Sequence, residues 1–179
     1  MKLKTLLKKE EIDIILNRLA CQLLEKHGDF KDSVLIGLQP RGSQLAQRLG
    51  DLLKNQYQIE NIDLGFLDTT FFRDDFRRRE NPLEANSTKI DFLVEDKRVV
   101  FIDDVLFSGR SVRAALSAIQ SFGRPKEIEL LVLIDRRFSR DLPIQPDYKG
   151  RQVDVLNNER VIVQWDGSED EDRVLITND

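Results

Sequence analysis

Two short runs of unbroken apolar side chains, Val34-Leu35-Ile36-Gly37-Leu38 and Val99-Val100-Phe101-Ile102, constrain this chain more than any other feature. Neither alternates with polar residues, so neither can turn one face to water. Strands of this kind are buried on both faces, as in a parallel sheet covered by helices. Each run leads into a polar loop and then a segment of helical period. Gln39-Pro40-Arg41-Gly42-Ser43 precedes Leu45, Leu49, Leu52 and Leu53. Asp103-Asp104-Val105-Leu106-Phe107-Ser108-Gly109-Arg110-Ser111 precedes Val112, Ala115, Leu116, Ile119 and Phe122, with Gly123 and Pro125 as the stop. Ile128 to Ile134 reads as a third buried strand. The pattern β-α-β-loop-β-α-β predicts an α/β domain with a mainly parallel central sheet. Ligands then bind beyond the carboxyl ends of the strands, where both polar loops fall.

Other segments fill in the organisation. Lys8 to His27 carries an apolar stripe of Ile12, Ile15, Leu16, Leu19, Ala20, Leu23 and Leu24, and Gly28 ends it. Cys21 lies beside the stripe as a flanking thiol, and His27 falls in the last turn, where a cation suits the helix dipole. Ile62 to Phe72 reads as extended. Arg73 to Lys89 is nearly free of apolar residues, and a loop of that length inside a compact domain reads as functional or mobile, the alternative being a solvated hairpin. Arg136 to Gly150 is charged, with Pro143 and Pro146. Val153–Leu156, Val161–Trp165 and Val174–Thr177 are short strand-like pieces.

A chain of 179 residues, 40% apolar, is one domain spanning residues 1–179 with enough side chain for a core. One Cys excludes an internal disulfide and a cysteine-rich zinc site, and one His excludes a His-rich metal site. No apolar run reaches the roughly 18–20 residues of a membrane span. The start, MKLKTLLKKEEID, lacks the apolar region and cleavage site of a secretory signal. The expectation is a soluble cytoplasmic protein. Net charge is −4, but the last 14 residues hold six acids and one Arg, so the remainder carries 27 bases against 26 acids. A local basic face on the body is compatible with that balance.

The chemistry concentrates between Val99 and Ser111. A buried strand ends in two adjacent carboxylates, Asp103 and Asp104. A turn of small residues then opens a helix, whose N-terminal N–H groups suit a phosphate. Ser108 and Ser111 add hydroxyl donors, Gly109 permits close backbone approach, and Arg110 adds charge-assisted contacts. The acids would repel the phosphate itself and suit ribose hydroxyls or a metal. The joint expectation is a sugar phosphate. A Walker B strand would need a GxxxxGK[ST] loop, which the chain lacks. A receiver-type acid pair would leave the Ser-Gly-Arg-Ser turn unexplained. A purely structural turn would leave two costly carboxylates without partners.

The segment VVFIDDVLFSGRSVRAAL resembles the phosphoribosyl-pyrophosphate (PRPP) signature of type I phosphoribosyltransferases. Together with LIGLQPRGSQLAQRL, DTTFFRDDF, LVLIDRR, DLPIQPDYKG and VIVQWDGSEDEDRVLI, it is similar to the family of pyrimidine-operon regulatory proteins over nearly the whole chain. The resemblance implies the type I phosphoribosyltransferase fold with a small C-terminal hood. It implies transfer of the phosphoribosyl group of PRPP to uracil, giving UMP and pyrophosphate, with Mg²⁺ bound alongside PRPP. It also implies UMP-dependent binding of pyrimidine-operon leader mRNA, and a homodimer or higher oligomer.

Residue by residue, the resemblance assigns Asp103 and Asp104 to the ribose hydroxyls, directly or through Mg²⁺ and water. Val105, Leu106, Phe107, Ser108, Gly109, Arg110 and Ser111 cradle the 5′-phosphate. Gln39, Pro40, Arg41 and Gly42 form the pyrophosphate loop, with Arg41 a catalytic cation. Arg73 and Asp74 open a lid running to about Lys89, and residues 136–179 supply the hood. Arg136, Arg137 and Arg140, with Lys149 and Arg151, are the RNA-binding candidates. Three departures stand out. Phe107 occupies the place where purine members carry an acid, which disfavours a purine. Pro40 stands where Thr is usual. DRRFSRDL is one residue longer than the family's DRGHREL-like stretch and lacks its His, and Gln145 replaces a usual Arg. Alternatives are a phosphoribosyltransferase for a purine or orotate, an RNA-binding attenuator with little catalysis, or a nucleotide-binding scaffold without catalysis.

Overall fold

The computed structural model describes residues 3–74, 87–155, 159–165 and 172–178. The two apolar runs are strands β2, Ser33–Leu38, and β4, Arg98–Leu106. With β3, Asp63–Leu67, β5, Glu127–Arg137, and β6, Tyr148–Asp154, they form a five-stranded sheet of order β3-β2-β4-β5-β6. Every pairing in it is parallel. Helix α1, Lys9–His27, and helix α2, Gly42–Asn55, cover one face. Helix α3, Arg110–Ala118, and the 3₁₀ turn Ile119–Phe122 cover the other. Side chains of β2 and β4 divide between these two cores: Leu35, Val100 and Ile102 pack under α1 and α2, while Val34, Ile36, Val99 and Phe101 pack under α3. Each fully buried Leu or Ile contributes on the order of 1.5–3 kcal/mol, so the two-sided burial read from the sequence is the main cohesion of the domain.

The expected α1 stripe is the buried face: Ile12, Leu16, Leu19, Ala20 and Leu23. The helix starts with Glu11 accepting from the Lys8 N–H at 2.9 Å and ends at Gly28, whose positive φ of 57° lets its N–H reach the Leu24 carbonyl. His27 corrects the expectation. It is not a cation facing the helix end but a buried ring. Nδ1 lies 2.8 Å from Ser33 Oγ, and Nε2 lies 3.2 Å from Glu129 Oε2 and 3.1 Å from the Tyr148 hydroxyl. Burial pushes its pKa down, so the neutral ring is favoured despite Glu129 nearby. Cys21 is exposed beside Tyr57, as a flanking thiol should be.

Three further expectations change. Strand β4 continues through both acids to Leu106, so Asp103 and Asp104 lie within the strand's last turn of pleat rather than beyond it. Strand β5 likewise carries Arg136 and Arg137, and β6 joins the central sheet, so neither belongs to the hood. The hood is a separate antiparallel sheet of β1, Leu3–Leu7, β8, Arg173–Asn178, and β7, Glu159–Gln164, in the order β1-β8-β7. It is therefore built from both ends of the chain. The N-terminal strand escaped the sequence reading because Leu3-Lys4-Thr5-Leu6-Leu7 is short and half-exposed. The hood docks on α2 through Arg48, whose guanidinium pairs with Asp172 at 2.7 Å and stacks over Trp165. Of the lid expected over residues 73–89, positions 75–86 lie outside the described residues. Ser87–Lys89 rests on β3, where Lys89 and Phe66 exchange backbone hydrogen bonds.

One contact ties the fold to the candidate site. The first residue of α2, Gly42, presses on β4: a Cβ there would lie 2.2 Å from the Ile102 carbonyl oxygen and 3.0 Å from Asp103 Cα. Gly42→Ala must push α2 off the sheet, at a cost of about 1–3 kcal/mol. We expect its thermal midpoint to fall by roughly 2–12 °C. Thermal unfolding checks this, and an unchanged midpoint would contradict the close packing.

Candidate active site

The carboxyl ends of β2 and β4, the approach to β5's tip and the hood enclose a cavity of about 710 Å³. It brings together Gln39, Pro40 and Arg41 from the loop after β2, Asp103, Asp104 and Val105 from β4, and Phe107 and Ser111 from the turn into α3. Arg73, Arg136, Glu159, Arg160 and Val161 complete its wall. The two polar loops singled out in the sequence thus share one cavity, as their strand-end positions require.

Both acids face it because the side-chain alternation of β4 slips there. Val100, Ile102 and Val105 pack with one core, whereas Val99, Phe101 and Leu106 pack with the other. Strict alternation would put Val105 with Phe101. The slip falls on Asp103 and Asp104, and the Asp104 N–H donates to Asp103 Oδ1 at 2.9 Å. Burial pushes the Asp103 carboxyl well above the ordinary range, and the charge of Asp104 raises it further. Burial also raises Asp104, which is 4% exposed, against the pull of the Arg41 guanidinium. Asp104 Oδ2 is buried without a hydrogen-bond partner. The protein's own donors thus satisfy the pair only in part, through the Asp104 N–H.

The turn after β4 has the shape expected for an anion. Gly109 adopts φ 90°, and α3 begins at the next residue. The Arg110 N–H points at Ser108 Oγ, 3.4 Å away. Arg110's guanidinium turns outward, between Asp74 at 2.5 Å and Asp141 at 3.0 Å, so it braces the turn from outside. In the loop after β2, the Gln39–Pro40 peptide is cis, and Ser43 Oγ donates to the Pro40 carbonyl at 2.6 Å. Gln39 Nε2 donates to the Ser87 carbonyl at 3.1 Å.

The RNA-binding candidates separate. Arg136 is 5% exposed and lies over the Phe107 ring, 4.2 Å from its centroid, inside the cavity. Arg140 spends its guanidinium on the protein's own carbonyls and on Asp135. Neither is a surface cation, which corrects the expectation for both. Arg137 is exposed and paired with Asp154. Arg137 and Lys149 line a second cavity of about 700 Å³, with the exposed Phe138 at its mouth. Sequence reasoning missed Glu159, Arg160 and Val161 of the hood as cavity residues; their charged-apolar pattern carries no signal until β7 is placed. Arg136 was legible only as one base in a basic run.

The geometry is that of a phosphoribosyltransferase, and the comparisons agree. The phosphoribosyl transferase domain family model matches residues 2–166. Solved structures share the fold: a hypoxanthine phosphoribosyltransferase of Trypanosoma cruzi at TM-score 0.72 and 16% identity, covering 98% of this chain and 91% of that one. A hypoxanthine-guanine phosphoribosyltransferase of Bacillus anthracis gives TM-score 0.65 and 18% identity over 86% and 85%. Among curated proteins, the bifunctional protein PyrR of Oceanobacillus iheyensis is 43% identical, over 98% of both chains. That of Caldicellulosiruptor bescii is 41% identical over 98% of this chain and 95% of its own, and that of Enterococcus faecalis 39% over 95% and 97%. The chain belongs to the phosphoribosyl transferase domain family and, within it, to the PyrR proteins.

The raised carboxyls carry a stability consequence. A carboxyl whose folded-state pKa exceeds its unfolded value supports the fold at acid pH and loses that support as pH rises through the folded pKa. Asp104→Asn removes the loss. We expect its thermal midpoint to exceed the parent's at pH 8 by a few degrees, at about 2–4 °C per kcal/mol for a chain of this size. The difference should narrow as pH falls toward about 4 and close below about pH 3, where the carboxyl is neutral in both states. Midpoints measured across pH check this; a variant less stable at pH 8 would contradict it.

Proposed function

We propose that this phosphoribosyltransferase transfers the phosphoribosyl group of PRPP to uracil, yielding UMP and pyrophosphate. The observation that carries the reading is the single cavity joining the acid pair, Phe107 and Ser111 from the turn into α3, the Arg41 loop and the hood. In this reading the N–H groups and hydroxyls of Ser108–Ser111 hold the 5′-phosphate at the N-terminus of α3. Asp103 and Asp104 accept from the ribose 2′- and 3′-hydroxyls, which supplies the donors that buried Asp104 Oδ2 lacks. Arg41 and Arg73 stand on the pyrophosphate side, where negative charge grows as the C1–O bond breaks, and preorganised cations there lower the barrier. The sugar develops oxocarbenium character, as in glycoside cleavage, so no nucleophilic side chain is needed. Arg136, held over Phe107, and Glu159–Val161 of the hood form the wall that meets the base. With Phe107 in place of an acid, the turn after β4 offers no carboxylate to a purine ring nitrogen.

Mg²⁺ fits the same site. The described residues contain no group of three ligating side chains that could hold it alone. Asp103 and Asp104 would hold it indirectly, through substrate oxygens and water, and its charge would offset that of the departing pyrophosphate. The reading includes, through the family resemblance alone, a cytoplasmic location and a dimer or higher oligomer. Among the described residues, no helix is long and apolar enough to cross a membrane.

Pyrophosphate release with uracil, orotate, hypoxanthine and guanine tests the reading. We expect uracil to be the preferred acceptor and Asp104→Asn to lose at least about 100-fold in turnover while remaining folded. Preference for another base, or wild-type turnover in the variant, would overturn it.

The second activity of the bifunctional relatives is proposed here as UMP-dependent binding of pyrimidine-operon leader mRNA. The observation favouring it is the second cavity, whose lining includes Lys149 and exposed Phe138, with Arg137 stacked on that ring and paired with Asp154: a cation for a phosphate and a ring for a base in one cavity. Gel shifts with the leader RNA, with and without UMP, check it. Lys149→Glu should weaken binding and reduce the salt dependence by about one phosphate's worth. Absence of binding, or binding insensitive to salt, would remove the role.

A further inference from the structure

Three successive carbonyls at the start of the phosphate turn are captured from one side by one segment. Arg140 Nη1 donates to the Leu106 carbonyl at 3.3 Å and the Phe107 carbonyl at 2.6 Å. The Asp141 and Leu142 N–H groups donate to the Ser108 carbonyl at 3.0 and 3.2 Å. The same guanidinium is itself locked. Nε donates to the Ile144 carbonyl at 2.9 Å, Nη1 also to the Arg136 carbonyl at 2.9 Å, and Nη2 to Asp135 Oδ1. Asp135 is 3% exposed and held in turn by Gln152 at 2.9 Å. One planar cation thus joins the tip of β4, the tip of β5 and the return loop at Ile144. Only an arginine has donors enough, in a fixed fork, to do so.

The orientation has a chemical result. In a planar trans peptide the carbonyl and the following N–H point in opposite directions. Turning the carbonyls of Leu106, Phe107 and Ser108 toward Arg140–Leu142 turns the N–H groups of Phe107, Ser108 and Gly109 the other way. Arg140 lines the second cavity, whereas Phe107 and Ser111 line the first. We propose that Arg140 is a positioning residue for PRPP: by holding these carbonyls it aims the turn's N–H groups at the 5′-phosphate. It touches no substrate, and it does not serve as a free cation for RNA. The inference rests on the reading of the turn as the phosphate cradle.

Steady-state kinetics of Arg140→Lys and Arg140→Gln test it, with both substrates varied. Loss of charge-assisted hydrogen bonds to two carbonyls should raise KM for PRPP about ten- to a hundredfold. KM for uracil should move less than about twofold. A merely structural role would instead lower the thermal midpoint and the active fraction, leaving KM for PRPP unchanged in the folded enzyme. Should neither variant fold, Asp135→Asn leaves the arginine in place but loosens its anchor, and its KM for PRPP should rise several-fold. A folded variant of either residue with the parent's KM for PRPP overturns the inference. Failure of the parent enzyme to show saturable dependence on PRPP would instead overturn the cradle reading, so the two failures are distinct.

Discussion

A buried and a half-buried carboxylate, Asp104 and Asp103, repel one another side by side, and everything around the tip of β4 is arranged so that they can nonetheless stay there. Burial opposes the charge on both, and the charge of Asp104 raises the cost for Asp103. A chain selected for stability alone would not keep this arrangement. It persists because the surrounding structure fixes it: α2 is pressed against β4 at Gly42, the strand's alternation slips so that both acids share one cavity, and Arg41 supplies partial compensation. Local instability at a strand end is a common cost of a binding site that waits for the substrate's own donors.

The parallel sheet explains why the site lies where it does. All five strands point the same way, so their carboxyl ends form one rim, and each loop leaving that rim starts from a rigid position. The loop after β2 brings Arg41, the turn after β4 brings Ser108–Ser111, and β5 brings Arg136. The hood adds a wall from strands that belong to neither end of the sheet order. Its attachment is polar and specific: Arg48 of α2 grips Asp172 and covers Trp165. Because α2 also begins at the Arg41 loop, one helix carries both that cavity-lining loop and the mooring of the hood.

Much of this was legible in the sequence, for identifiable reasons. Unbroken apolar runs at Val34–Leu38 and Val99–Ile102 can only be two-sided strands, and the small-residue turn at Ser108–Ser111 can only be a tight strand-to-helix junction. The acid pair was legible because two adjacent carboxylates after a buried strand are too costly to be incidental. What failed depended on tertiary placement. β1 is too short and too exposed to announce itself, so the hood's third strand was missed. His27 looked like a helix-end cation because the burial supplied by Glu129 and Tyr148, more than 100 residues on, has no local signature. Arg136 and Arg140 looked like members of a basic patch because a sequence shows charge without direction. One turned into the cavity over Phe107, and the other turned under the loop after β4.

That divergence follows from strand geometry. Arg136 and Arg137 are consecutive residues at the end of β5, so their side chains leave on opposite faces. Arg136 enters the cavity that also holds the acid pair, and Arg137 enters the cavity behind it. Asp135 shares the face of Arg137 and meets Arg140 there. A single strand tip therefore divides its charges between the wall of one cavity and a framework bracing the turn after β4 from behind. Beyond this tip the chain turns to the reverse side, where Arg140 meets Asp135, while Arg136 stays stacked on Phe107 just past the last β4–β5 pair, Leu106 with Asp135.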